Sequence, residues 1–299
     1  MRTLINALSL AGVAAVPGDR AAQGPIHRDD VLLRRALICV DTKHAGNEDL
    51  GLWMRSEKGE VVRIWEGDAY DARYLPDGRI LVADRWGDRV LWLDADFRPH
   101  VLRAGLRRPV DVERAADGTI VVVSEEGNEV LGLDPETGAT RWRRGGFSSP
   151  FDALPIEDGG LLVADSGNGR IVQLDARGTI VRQVGGLGFV NAVELLDDGG
   201  MLATNWTGGE LIAIDSAWEV TKRVYVGGTL YRAARNDEGV TLVYDGGGAR
   251  LVLYDSDGKP LPPQRFAPGG GGLRADGRAL RVDAGRPRAC SAGSLCLRS

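Results

Sequence analysis

The sequence predicts an all-β fold, a β-propeller of four-stranded blades, and three observations carry that reading. Aspartates close successive segments at Asp94, Asp134, Asp175, Asp215 and Asp255, at steps of 40, 41, 40 and 40 residues. Each segment holds apolar runs of strand length separated by polar turns. Glycine is abundant, 42 residues of 299, as a fold with several tight turns per repeat requires. A repeat near this length with three or four strands is the mark of one propeller blade. One twisted sheet has two apolar faces and cannot cover both alone; packed radially against its neighbours, it can.

The clearest unit is PFDALPIEDGGLLVADSGNGRIVQLD, Pro150 to Asp175. It reads as strands at Phe151 to Pro155, Leu161 to Ala164 and Ile171 to Leu174, joined by a Gly159-Gly160 turn and a Ser166-Gly167-Asn168 loop. Asp71 to Asp94, Pro109 to Asp134, Val190 to Asp215 and Tyr231 to Asp255 repeat it. Fourth strands are expected at Pro99 to Leu102, Ala139 to Trp142, Thr179 to Val184, Glu219 to Val226 and Pro262 to Phe266. The first unit is degenerate. Pro25-Ile26-His27 aligns with an innermost strand, Ala36 to Val40 with a second, and Gly51 to Arg55 and Val61 to Trp65 with a third and fourth. ADGRALRVD at Ala275 to Asp283 fits another pair. The count is seven repeat units, the last lacking its fourth strand, with a six-bladed ring as the alternative.

Residues 1–23 combine one basic residue, an apolar stretch from Leu4 to Val16 and small residues at Ala21 and Ala22. They read as a signal peptide, hence a periplasmic or secreted protein, or as a ring-closing strand in a cytoplasmic one. Residues 24–299 then form a single propeller domain. A net charge of -5 argues against nucleic-acid binding, and no apolar run is long enough for a membrane span. Cys39, Cys290 and Cys296 lack metal-ligand spacing, and their pairing stays open. GxSxG, HExxH, Walker and paired CxxC motifs are absent.

LLVADSGNGRIVQLD at Leu161 to Asp175 resembles the NHL repeat, with Asp165, Asn168 and Arg170 at its hallmark positions. Asp84 with Arg89 and Asp245 with Arg250 keep the spacing, while Ser124 with Glu129 and Asn205 with Glu210 depart from it. LDPETGATRW at Leu133 to Trp142 is similar to quinoprotein-type repeats. YDARYLPDGRILVAD is similar to arylsulfotransferase-type propellers, except that Tyr70 stands where their histidine would be. NHL resemblance implies a binding role in most cases and a lyase, lactonase or transferase in a minority; it carries no catalytic residue across.

In a propeller the start of each innermost strand and the loop between strands two and three lie on one face. Two rings of residues are therefore expected there. The inner ring is Asp71, Asp111, Asp152, Asn191 and Arg232, with His27 by weaker alignment. The loop ring is Asp84, Trp86, Glu125, Asp165, Asn205, Trp206 and Asp245. Asp71, Asp111, Asp152 and Asn191 are candidate ligands for Ca²⁺, a hard cation that takes six to eight oxygens; Arg232 opposes that reading. Trp86 and Trp206 could flank a small polar ligand. Against this stands a structural role, with Asp84–Arg89 and Asp165–Arg170 fixing their loops. His44, beside Asp41, Lys43 and Glu48, and His27 are the general-base candidates by residue type. The expected function is a monomeric binding or scaffold propeller, its central face taking a small polar ligand, a carbohydrate or a peptide. The alternative is an enzyme, a metal-dependent lactonase or hydrolase or an arylsulfotransferase-like protein.

Overall fold

The computed structural model describes residues 37–40, 51–55, 61–75, 77–235, 239–245, 250–255 and 257–261. Among them, 22 strands form six antiparallel sheets in sequence order. The first holds β1 (Leu37–Val40), β2 (Gly51–Arg55) and β3 (Val61–Trp65). The second holds β4 (Ala69–Tyr74), β5 (Ile80–Asp84), β6 (Arg89–Leu93) and β7 (Pro99–Ala104). The third runs through β8 (Pro109–Arg114), β9 (Ile120–Ser124), β10 (Glu129–Leu133) and β11 (Thr140–Gly145). The fourth runs through β12 (Pro150–Pro155), β13 (Leu161–Asp165), β14 (Arg170–Leu174) and β15 (Ile180–Val184). The fifth has β16 (Val190–Leu195), β17 (Met201–Asn205), β18 (Glu210–Ile214) and β19 (Val220–Tyr225). The sixth has β20 (Leu230–Arg235), β21 (Thr241–Asp245) and β22 (Arg250–Tyr254). The expected strands at Pro25 to His27, Pro262 to Phe266 and Ala275 to Asp283 lie outside the described residues, as do residues 1–23, His27, His44, Cys290 and Cys296.

Burial follows strand rank. The second strands ILVAD, IVVVS, LLVAD and MLATN are buried at every residue. A strand covered on both faces reads as a near-continuous apolar run, as these do up to their polar ends. The fourth strands, such as IVRQV in β15, are exposed along nearly their whole length. Five apolar layers separate the six sheets, one between each pair of neighbours. Val110, Val121 and Val123 of the third sheet, for example, meet Phe151, Ala153 and Val163 of the fourth.

The closing aspartates that set the period are turn residues. Asp175 Oδ1 accepts the backbone N–H of Arg177 (2.9 Å) and Thr179 (2.8 Å), folding the chain from strand three into strand four. Asp94, Asp215 and Asp255 repeat both bonds at the same offsets, and Asp134 binds Glu136 and Thr137. This turn also needs one residue at positive φ. Gly138, Gly178 and Gly258 supply it, but Phe97 (φ 60°) and Trp218 (φ 71°) stand in the same place in their sheets. Both rings pack against the neighbouring apolar layers, which offsets the backbone strain of a side chain in that region. Trp218 is thus a turn residue.

Asp165 is fully buried and accepts from Ser148 N (2.7 Å), Asn168 Nδ2 (2.9 Å) and Arg170 Nε (2.7 Å). Asp84 holds its loop through Gly87 N (3.1 Å) and Arg89 Nε (2.6 Å). In the fifth sheet the polarity inverts, with Asn205 Nδ2 donating to Glu210 at 3.0 Å. In the third, Ser124 Oγ donates instead to Arg107 O at 2.8 Å. Asp165→Ala should therefore cost about 3 kcal/mol in urea denaturation, and Ser124→Ala about 1 kcal/mol, because the first strands several buried donors and the second only one acceptor.

Candidate functional site

The inner strands start on one face, and a bulge near each start sets which side chains look down the common axis. The register breaks between Ala69 and Asp71, Pro109 and Asp111, Pro150 and Asp152, Val190 and Ala192, and Leu230 and Arg232. The residues in register behind the bulge are thus Asp71, Asp111, Asp152, Ala192 and Arg232. Asn191 is not among them. It sits on the bulge itself, level with Tyr70, Val110, Phe151 and Tyr231, one residue away from where the sequence alignment puts it.

The three aspartates are brought together, and each is bonded to the sheet after its own. Asp71 Oδ2 accepts Val112 N at 3.2 Å, Asp111 Oδ2 accepts Ala153 N at 3.1 Å, and Asp152 Oδ2 accepts Val193 N at 2.8 Å. Asn191 serves the next junction with opposite polarity, its Nδ2 donating to Tyr231 O at 2.8 Å. Two arginines complete the layer. Arg73 bonds Asp71 (3.1 Å) and Glu113 (2.8 Å) and lies 3.8 Å from Asp111. Arg232 reaches across the axis to Asp152 (3.2 Å) and to within 3.8 Å of Asp111. That reach from the sixth sheet to the third shows how tightly the inner strands curve round one axis.

Burial dominates the titration of these groups. It pushes the Asp71 carboxyl up against the pull of Arg73 and Arg232, and pushes Asp111 well up with help from Asp152 and Asp71. Burial opposes the Arg73 charge, yet Asp71, Glu113 and Asp111 together hold its pKa well above that of free arginine. For Arg232 too, burial opposes the charge, and Asp152, Asp111 and Asp71 together raise the pKa. Among the described residues, no three His, Cys, Asp or Glu side chains gather in a way that could hold a metal ion. The acidic oxygens proposed for Ca²⁺ face backbone N–H groups and the chain's own guanidinium groups.

Of the two layers on either side, sequence reasoning picked out only Trp206 and Glu125. Toward the strand starts lies a cluster of rings from four sheets. Tyr70 meets Phe151 edge-on (6.4 Å), Phe151 meets Phe189 (5.4 Å) and Trp206 (6.2 Å), and Trp206 meets Tyr231 (6.0 Å). The indole Nε1 of Trp206 is buried with no hydrogen-bond partner among the described residues. Beside the rings, Arg85 lies over Tyr70 (4.7 Å) and pairs with Glu125 (2.6 Å). Trp86 is not in this cluster; it is 42% exposed on the rim under Arg108 (4.1 Å). Arg85, Glu125, Ser166 and Trp206 each follow a second strand directly, so they form the inward loop ring, with Trp86 one residue farther out. The signal was available: an aromatic recurs at the residue before the aspartate position, in Tyr70, Phe151 and Tyr231.

Toward the strand ends, the next inward position is held by Arg73, Glu113, Leu154, Glu194 and Ala234. Glu194 is 7% exposed, and neither carboxyl oxygen has a hydrogen-bond partner among the described residues. Burial pushes its pKa from 4.5 up to about 9 despite Arg232 and Arg235.

Comparisons with known proteins agree with this architecture. Superposition matches virginiamycin B lyase from Staphylococcus aureus at a TM-score of 0.61 and 12% identity, over 76% of this chain and 83% of that one. A protein of unknown function from Bacteroides caccae matches at 0.58 and 15%, over 76% and 92%. A chain of the nidogen/laminin complex matches at 0.50 and 17%, over 64% and 80%. The fold is a β-propeller. Residues 76–218 also match a family model described as outer membrane protein assembly factor BamB. That span contains the quinoprotein-like LDPETGATRW, and the repeats it covers are similar to BamB-like repeats; the match does not single out the NHL type. No curated protein matches the chain in sequence. At 12–17% identity the structural likeness is one of fold, not of activity.

Two outcomes follow from the axial geometry. Asp152→Ala should destabilise the protein by about 3 kcal/mol, since it strands both Val193 N–H and Arg232, whereas Asp152→Asn keeps an acceptor and should lose less. Glu194 keeps its proton to about pH 9 when folded and gives it up near 4.5 when unfolded. Its contribution is therefore fully present below the lower value and is lost as pH rises through the upper one. Urea midpoints measured from acid to alkaline pH should show Glu194→Gln gaining on the wild type as pH rises.

Proposed function

We propose that this propeller is a binding module whose ring-lined face takes a segment of a partner protein. The observation that carries the reading is the aromatic cluster of Tyr70, Phe151, Phe189, Trp206 and Tyr231, contributed by four sheets to one end of the axis. Aromatic side chains give large contact area at small entropic cost and anchor most protein interfaces. The charged groups beside them, Arg85 with Glu125 and Arg108 with Glu126 at 2.9 Å, form a polar rim of both signs. The free Trp206 Nε1–H donor would pair with a carbonyl of the bound segment.

The likeness of residues 76–218 to an assembly factor supports a protein partner over a carbohydrate or a small polar ligand. With the leader-like residues 1–23, it also favours an extracytoplasmic site of action. No helix among the described residues is long and apolar enough to cross a membrane. Asp71, Asp111 and Asp152 act in this reading as ties between sheets that hold the ring-bearing bulges in place, not as ligand contacts.

A phage-displayed random peptide library panned on the full chain tests the proposal. Peptides that bind should lose about tenfold or more in affinity against Trp206→Ala and Tyr231→Ala, and nothing against Tyr225→Ala on an outer strand. Binders insensitive to both ring variants would overturn it.

A further inference from the structure

The far end of the axis carries a second feature, independent of the ring-lined face. Five carboxyl groups line the described inner strands along the axis, Asp71, Asp111, Asp152, Glu113 and Glu194. Two guanidinium groups, Arg73 and Arg232, share them. Among the described residues the ion pairs of Arg73 and Arg232 fall on Asp71, Asp111, Asp152 and Glu113, and Glu194 receives no hydrogen bond from any of them. Asp111 Oδ1 is likewise buried without one. A buried carboxyl with neither oxygen satisfied is costly unless something else completes it.

We propose that the strand-end opening of the axis binds an organic cation, an alkylammonium or guanidinium group seated against the Glu194 carboxyl. The approach is from that end because solvent reaches it. The Glu113 side chain, level with Glu194, is 22% exposed, whereas Asp71, Asp111 and Asp152, one layer in, are 7%, 1% and 4%. The other end is covered by the rings. The two carboxyl oxygens of Glu194, buried without a donor among the described residues, select a hydrogen-bond-donating cation over an anion. The absence of any metal-holding trio among the described residues favours a hydrogen-bonding head group over a bare divalent ion. The groups that face Glu194 are Arg232 and Arg235 of β20 and Asp152 of β12. Burial, with Asp152, keeps it protonated at neutral pH against the pull of the two arginines, so seating a cation ionises it and releases one proton.

Isothermal titration of the full chain tests this, using butylammonium, butylguanidinium and a doubly blocked lysine in two buffers of different ionisation enthalpy. The expected result is binding with release of about one proton, tighter as pH rises, and weakened about tenfold or more in Glu194→Gln. Glu194→Asp should retain proton release at lower affinity. Trp206→Ala should leave cation binding unchanged, so the two faces stand or fall separately. Preference for the simple amines would mark a free amine as the natural ligand, and preference for blocked lysine a partner's side chain; either supports the site. No heat with any of the three probes, or equal binding by wild type and Glu194→Gln, would overturn it.

Discussion

The carboxylate of one sheet accepting a backbone N–H of the next is the interaction on which the rest of this fold depends. Apolar layers between sheets supply most of the burial, but they are non-directional and tolerate sliding. The bonds from Asp71 to Val112, Asp111 to Ala153 and Asp152 to Val193 do not. They set the height of each inner strand against its neighbour to within the range of a hydrogen bond. The position of every bulge, and so of every ring at the strand starts, follows from that register.

The two arginines answer the electrostatic problem this solution creates. Burying acids near an axis penalises their charge, which raises both Asp71 and Asp111, and at Asp111 repulsion from Asp152 and Asp71 adds to it. Arg73 and Arg232 come from the same inner strands and stand between the acids. Removing either would leave carboxylates with less reason to stay ionised. An axis that looks from sequence like a cation site is therefore largely occupied by the protein's own cations, and only the Glu194 position is left over.

Much of this was legible in the sequence. The period and the strand ranks follow from Asp94, Asp134, Asp175, Asp215 and Asp255 and from the apolar runs between them. The structure explains why: those aspartates are turn acceptors, and a turn repeated at fixed spacing leaves a fixed residue behind. The inner ring was only partly legible. Asp71, Asp111 and Asp152 converge, but Asn191 aligned as their fourth member when Ala192 holds that place. A bulge inserts one residue without any mark in composition, so alignment by residue type slipped there. Of the ring cluster only Trp206 was singled out, because Tyr70, Phe151 and Tyr231 sit in apolar inner-strand starts, and an isolated glutamate such as Glu194 in a strand looks solvated.

Since each tie joins two sheets, its energy exists only while both are folded. Melting one sheet removes the acceptor or donor that steadied its neighbour, along with half of a shared apolar layer. Nearest-neighbour coupling of that kind makes intermediate states with a few blades missing poorly populated. The fifth junction, where the amide of Asn191 replaces a carboxylate, is the one joint of this set whose strength does not depend on the protonation of an aspartate. A change of pH therefore acts on the ties that Asp71 and Asp111 make, and leaves the clasp between the fifth and sixth sheets unaltered.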